Sequence, residues 1–215
     1  IEQTRGRLDE YSVMGELATQ FGQALETGRG ALRGAIGSID TKTGKWKKTT
    51  PNPAMYQQTY EAHDRGAILV ATVFEAFMRL YNFKVQDLLR IATQGSGILP
   101  QGSIHPDLVK RLAAEASDIA SHLLSICIRA LDYCPPIDIT FGDYLQALIT
   151  ADSDLSPEDN NGYRVALLDA FRSWGIFPER VKTLSVYSLK WFPPELSPKE
   201  SVCMNMMAEY IKEDI

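Results

Sequence analysis

The stretch YEAHDRGAILVATVFEAF at 60–77 limits what this chain can become more than any other part of it. A charged turn carrying His63, Asp64 and Arg65 runs into Ile68, Leu69, Val70, Val73, Phe74, Phe77 and Met78, which leave almost no polar face at a 3.6-residue period. A helix that is apolar nearly all round belongs inside a core rather than on a surface. The spacing predicts a helix over 65–81, capped by Asp64, with Phe74 as a central core residue. No long alternating segment is present to wall such a helix with a sheet, so other helices must do it.

The rest of the chain supplies them. Leu8, Tyr11, Leu17, Phe21 and Leu25 recur at three- and four-residue steps and predict a first amphipathic helix that stops at Gly28 and Gly30, followed by a short helical turn at 31–36. From 37 to 60 the chain is polar, interrupted by Gly44, Pro51 and Pro53, and reads as a long loop. Val85, Leu88, Leu89 and Ile91 mark a further helical segment before the loop TQGSGILPQGS. His105-Pro106 opens the longest helix, proline being suited to the first helical position, and Leu112, Ile119, Leu123, Ile126 and Ala130 draw its inner stripe. Two more helices are expected at 141–151 and 163–174. TLSVYSLKW alternates weakly and predicts a short strand or an extended arm. After the proline-rich FPPELSP, Val202, Met206, Met207, Tyr210 and Ile211 predict a terminal amphipathic helix. The expected organisation is an all-α domain over 1–192, then a hinge and terminal helix over 193–215.

Charge and cysteine content narrow the function classes. A net charge of -5 and a pI near 5.3 argue against nucleic acid as a partner, which demands a basic face. No unbroken apolar run reaches the roughly 18 residues of a membrane span, so no membrane partner is expected. No basic segment followed by an apolar one opens the chain, and a cytoplasmic location is expected. Cys127, Cys134 and Cys203 are an odd number with no C-x-x-C pair, which predicts buried free thiols rather than a zinc site or disulfides.

Candidate chemistry is sparse. Asp152, Asp154 and Asp159 suggest a calcium loop, but Pro157 stands where glycine is needed and Tyr163 where the bidentate glutamate belongs, so a solvated connection between helices is expected. The GSG at 95–97 follows a helix, whereas dinucleotide loops follow a strand. His105 reads as a helix cap and His122 as a histidine at the edge of the core. No H-E-x-x-H is present, and a catalytic zinc needs three protein ligands, so no cofactor is expected in this chain.

Four features in order are similar to the C-terminal helical half of the thermolysin-like zinc metallopeptidases, the gluzincins, fungalysins included. They are NPAMYQQTY, then HDRGAILVATVFEAF, then CPPIDITFGDYLQALITADSDL, and YRVALLDAFRSWGI, within a resemblance that covers roughly 8–177. Among gluzincins the chain is most similar to bacterial gluzincin-like proteins. The resemblance implies that His63 donates a hydrogen bond to the oxyanion formed when zinc-bound water attacks a peptide carbonyl, an interaction worth on the order of a hundred- to a thousandfold in rate. The family orients this histidine with a preceding aspartate; here Gln57, Gln58 and Thr59 stand in that region, which leaves Glu61 or Asp64 as orienting candidates. The family's second donor, an arginine, has no counterpart, although Lys47 and Lys48 lie nearby. The resemblance further implies a parent protein whose zinc ligands precede Ile1, acting on a peptide or protein substrate. The alternative is a non-catalytic helical scaffold or partner-binding domain of the same shape.

Overall fold

In the computed structural model, which describes residues 6, 8, 36–40, 42, 46–96, 99, 102, 104–136, 138–179, 181–192 and 197–213, the polar stretch 37–60 is not one loop. It holds an antiparallel pair, β1 (Gly37–Ile39) and β2 (Trp46–Lys48), in the register Gly37↔Lys48, Ser38↔Lys47, Ile39↔Trp46, and a single helical turn, α1 (Met55–Gln58). The Trp46 indole lies against Gly37, where no Cβ would fit. Its other neighbour is Phe74, whose ring it meets edge-on at 6.3 Å. This pairing docks the hairpin, and sequence periodicity misses it because three-residue strands are too short to show a period.

The apolar stretch does form a helix, α2 (Ala62–Ala92), longer than expected and merged with the segment that follows. Nothing between 81 and 85 is glycine or proline, so the ladder of hydrogen bonds continues. Its cap is Glu61, not Asp64: a Glu61 carboxylate oxygen accepts from the Asp64 backbone N–H at 2.8 Å. Ala71, Ala76, Met78, Leu80, Tyr81 and Val85 are buried, but Phe74 is only half-buried, which corrects its placement at the centre of the core.

Next come α3 (Pro106–Tyr133), α4 (Phe141–Leu155) and α5 (Tyr163–Ser173). His105 caps α3 as expected, its Nδ1 accepting from the Asp107 N–H at 3.2 Å. Thr140 and Asp143 form a reciprocal capping box on α4. Four helices close a ring, α2 on α3, α3 on α4, α4 on α5, and α5 back on α2. Leu89 of α2 and Leu112 of α3 both lie beside Gly6, whereas Phe77 and Leu123 lie together on one groove further along; the two helices therefore run antiparallel.

TLSVYSLKW forms neither strand nor arm: Val186–Leu189 is a short helix, α6, with Ser185 as its cap. Leu189 is fully buried and Trp191 packs on the same core. The terminal helix, α7 (Pro198–Glu213), exposes Val202, Met204 and Met206. The first predicted helix, beyond Leu8, and most of the turn at 31–36 lie outside the described residues.

By length and composition alone α2 is long and apolar enough to cross a membrane, contrary to the expectation that no such segment exists. In this fold it is the helix on which α3 and α5 pack, as an all-round apolar helix must be.

Candidate functional site

His63, the residue implied as an oxyanion donor, stands in the first turn of α2 with its side chain 76 % exposed. Glu61 is brought beside it, with Oε1 3.4 Å from Nδ1. The other Glu61 oxygen is spent on the helix cap, and that cap bond is the first cause of a Glu61 carboxyl held below its usual range, the nearby His63 adding to it. Asp64 is not brought to the ring as a hydrogen-bond partner; its backbone, not its carboxylate, takes part in the cap. A donor aimed at developing charge gains its strength from a dry, fixed setting, and an imidazole this exposed has neither. Lys48 is committed elsewhere: with Arg79 it neutralises the buried carboxylate of Glu75.

The acidic segment carries a second correction. Asp152 and Asp154 lie on α4, not in a solvated connection, and Asp152 is 1 % exposed. Its Oδ1 is 2.9 Å from His122 Nε2 on α3, and its Oδ2 accepts from Arg164 Nε on α5 at 2.7 Å. A carboxylate beside an arginine only accepts, so His122 Nε2 carries the hydrogen. Arg164 also donates to the backbone carbonyls of Ser156 and Pro157, and the His122 ring lies against Tyr163, tilted by 46° with centroids 4.2 Å apart. Asp159, the third acid of the discarded calcium motif, accepts from the Tyr163 and Arg164 N–H groups and caps α5. Among the described residues no three His, Cys, Asp or Glu side chains are grouped to hold a metal ion. The cluster joins three helices, and every strong hydrogen bond in it is internal.

Sequence reasoning found His122 at the core edge but missed Asp152 and Arg164. The signal was there: Asp152 follows Leu145 and Leu148 at seven and four residues, on the buried stripe of α4.

The third feature is an open apolar groove of about 630 Å³. Val73, Phe74 and Phe77 of α2 face Leu123 and Leu124 of α3, and Ile36 and Tyr144 complete the wall. The groove exists because α2 is apolar on more faces than α3 and α5 can cover. Two titratable groups line it, and both are kept neutral. Burial pushes the Cys127 thiol up; burial, and then Cys127 beside it, pushes the Tyr144 phenol up. The Tyr144 hydroxyl donates to the Cys127 carbonyl at 3.0 Å and is satisfied within the wall. From the groove an apolar stripe continues along α3 through Leu124, Ile128 and Leu131, each at least 60 % exposed.

The remaining cysteines are free: Cys134 is half-buried and Cys203, against expectation, is exposed on α7. No family model, no characterised protein and no solved structure matches this chain, so the likeness to the metallopeptidases rests on the quoted motifs alone.

Proposed function

We propose that this chain is a non-catalytic, helical partner-binding domain whose α2–α3 groove receives the apolar face of a helix. The observation that carries this reading is the groove wall: apolar throughout, with its thiol and phenol neutral and turned to internal partners. Such a wall offers no base, nucleophile or fixed donor for a reaction. Its volume lies within the range of binding pockets, but the exposed stripe from Leu124 to Leu131 makes the apolar track longer than a compact ligand needs. An elongated track between two helices suits helix-in-groove recognition, which uses anchors at three- and four-residue steps.

The competing reading makes His63 the oxyanion donor of a zinc peptidase whose metal half lies in a longer parent. It is disfavoured by the exposure of that ring. The test uses 8-anilinonaphthalene-1-sulfonate as an apolar probe. Saturable binding by the monomeric chain that weakens about tenfold or more in Leu124→Asp is expected, since a charge placed in an apolar site is strongly penalised. Equal binding by the two proteins would overturn the groove as a binding site.

A further inference from the structure

Two apolar surfaces of this chain are uncovered at once. One is the groove with its continuation along α3. The other is the α7 ridge made by Val202 and Met206, four residues apart and therefore on one helix face, 59 % and 66 % exposed. Within one chain they do not meet, because the ridge stays exposed while the groove stays open. We infer that the groove of one chain takes α7 of a second copy, a proposal that rests on the groove being a binding site.

Two further observations point to this occupant. The first is charge. Arg65 lies one turn ahead of Leu69, which lines the groove. Its guanidinium sits over the Tyr56 ring at 4.6 Å, and its Nε is buried without a hydrogen-bond partner. A buried donor on a charged group is costly until an acceptor meets it, and a carboxylate meets it best. The sequence of α7 supplies acids, Glu209 and Glu213 in its second half against Lys212. The second is independence from the core: the buried cluster ends at Leu189, with Trp191 packed on it. Among the described side chains none of α7 belongs to that cluster, so lending α7 to a neighbour takes none of them from it. Reciprocal exchange by two chains forms a closed two-fold pair, with both grooves filled and both ridges buried. Methionines suit the guest face, since an unbranched thioether adapts to an irregular groove.

Sedimentation equilibrium on the full chain and on its variants Leu124→Asp and Met206→Asp tests the inference. Both substitutions are at exposed positions, so the fold is retained. The expected result is a dimer weakened at least about tenfold by either change. A monomeric wild type overturns the inference, and so does a dimer indifferent to Met206→Asp. The variant Leu124→Cys then distinguishes a second copy from the same chain. A short bismaleimide should join the thiol introduced on α3 to Cys203 between chains, and a link confined to one chain would overturn the exchange. The apolar probe separates this inference from the reading beneath it. A monomer that binds the probe and loses it in Leu124→Asp leaves the groove reading standing, whereas failure of Met206→Asp to bind the probe removes both.

Discussion

Arg164 Nε lies 2.7 Å from Asp152 Oδ2 across the α4–α5 interface, and His122 of α3 holds the other oxygen of the same carboxylate at 2.9 Å. One buried acid thus ties three helices of the ring together. Asp152→Ala leaves the Arg164 side chain, 8 % exposed, as an uncompensated buried charge. Breaking a buried pair in this way costs about 3–5 kcal/mol. Urea unfolding should show a loss of that size, and a loss under about 1 kcal/mol would mean that solvent reaches the cluster. Replacing Asp152 and Arg164 together by leucine and methionine should recover much of it, because no charge is then stranded.

Tyr81 gives the fold an alkaline limit. Its hydroxyl donates to the Gly6 carbonyl at 3.0 Å, and burial pushes its pKa from 10.0 up to about 12. Because the neutral phenol is favoured in the folded state, its contribution is complete below pH 10 and is lost as pH rises toward 12. Tyr163, raised to about 12 by burial and then by Asp152 and other nearby acids, acts in the same direction. Thermal melts should therefore fall between those two pH values. Tyr81→Phe, which cannot ionise, should flatten part of the fall; an unchanged profile would place the titration elsewhere.

Gly175 follows α5 with φ +71°, and a Cβ there would run into the Pro53 carbonyl. Gly175→Ala meets both penalties, the left-handed backbone and the collision. It should destabilise by more than about 1–2 kcal/mol, the cost of the backbone conformation alone. The melting temperature reads this directly, and a neutral result would show that the 49–60 segment moves aside.

His63→Ala should change stability by less than about 1 kcal/mol, since an exposed ring loses no packing. Equilibrium dialysis should show zinc bound no more tightly than by a surface histidine, and casein should survive incubation with the zinc-loaded chain. Stoichiometric zinc, or proteolysis abolished by His63→Ala, would restore the catalytic reading.

The helical class and most of the helices are legible in the residues alone. The reason is local: periodic apolar residues fix which face is buried, and Pro106 marks where a helix starts with chemistry visible within a few residues. The role of His105 was legible too, because a cap bonds to its own next turn. What stayed hidden depends on residues distant in the chain. Three-residue strands carry no period, and only Trp46 closing on Gly37 and Phe74 makes them a hairpin. Asp152 reads as part of a solvated acidic run until α3 and α5 bring His122 and Arg164 to it. His63 reads as a site residue beside a buried helix, yet its exposure depends on which side of the α2 N-terminus the other helices leave open. The groove is decided last of all. An apolar helix announces that it must be covered, but only the packing of its neighbours determines which part of it stays bare.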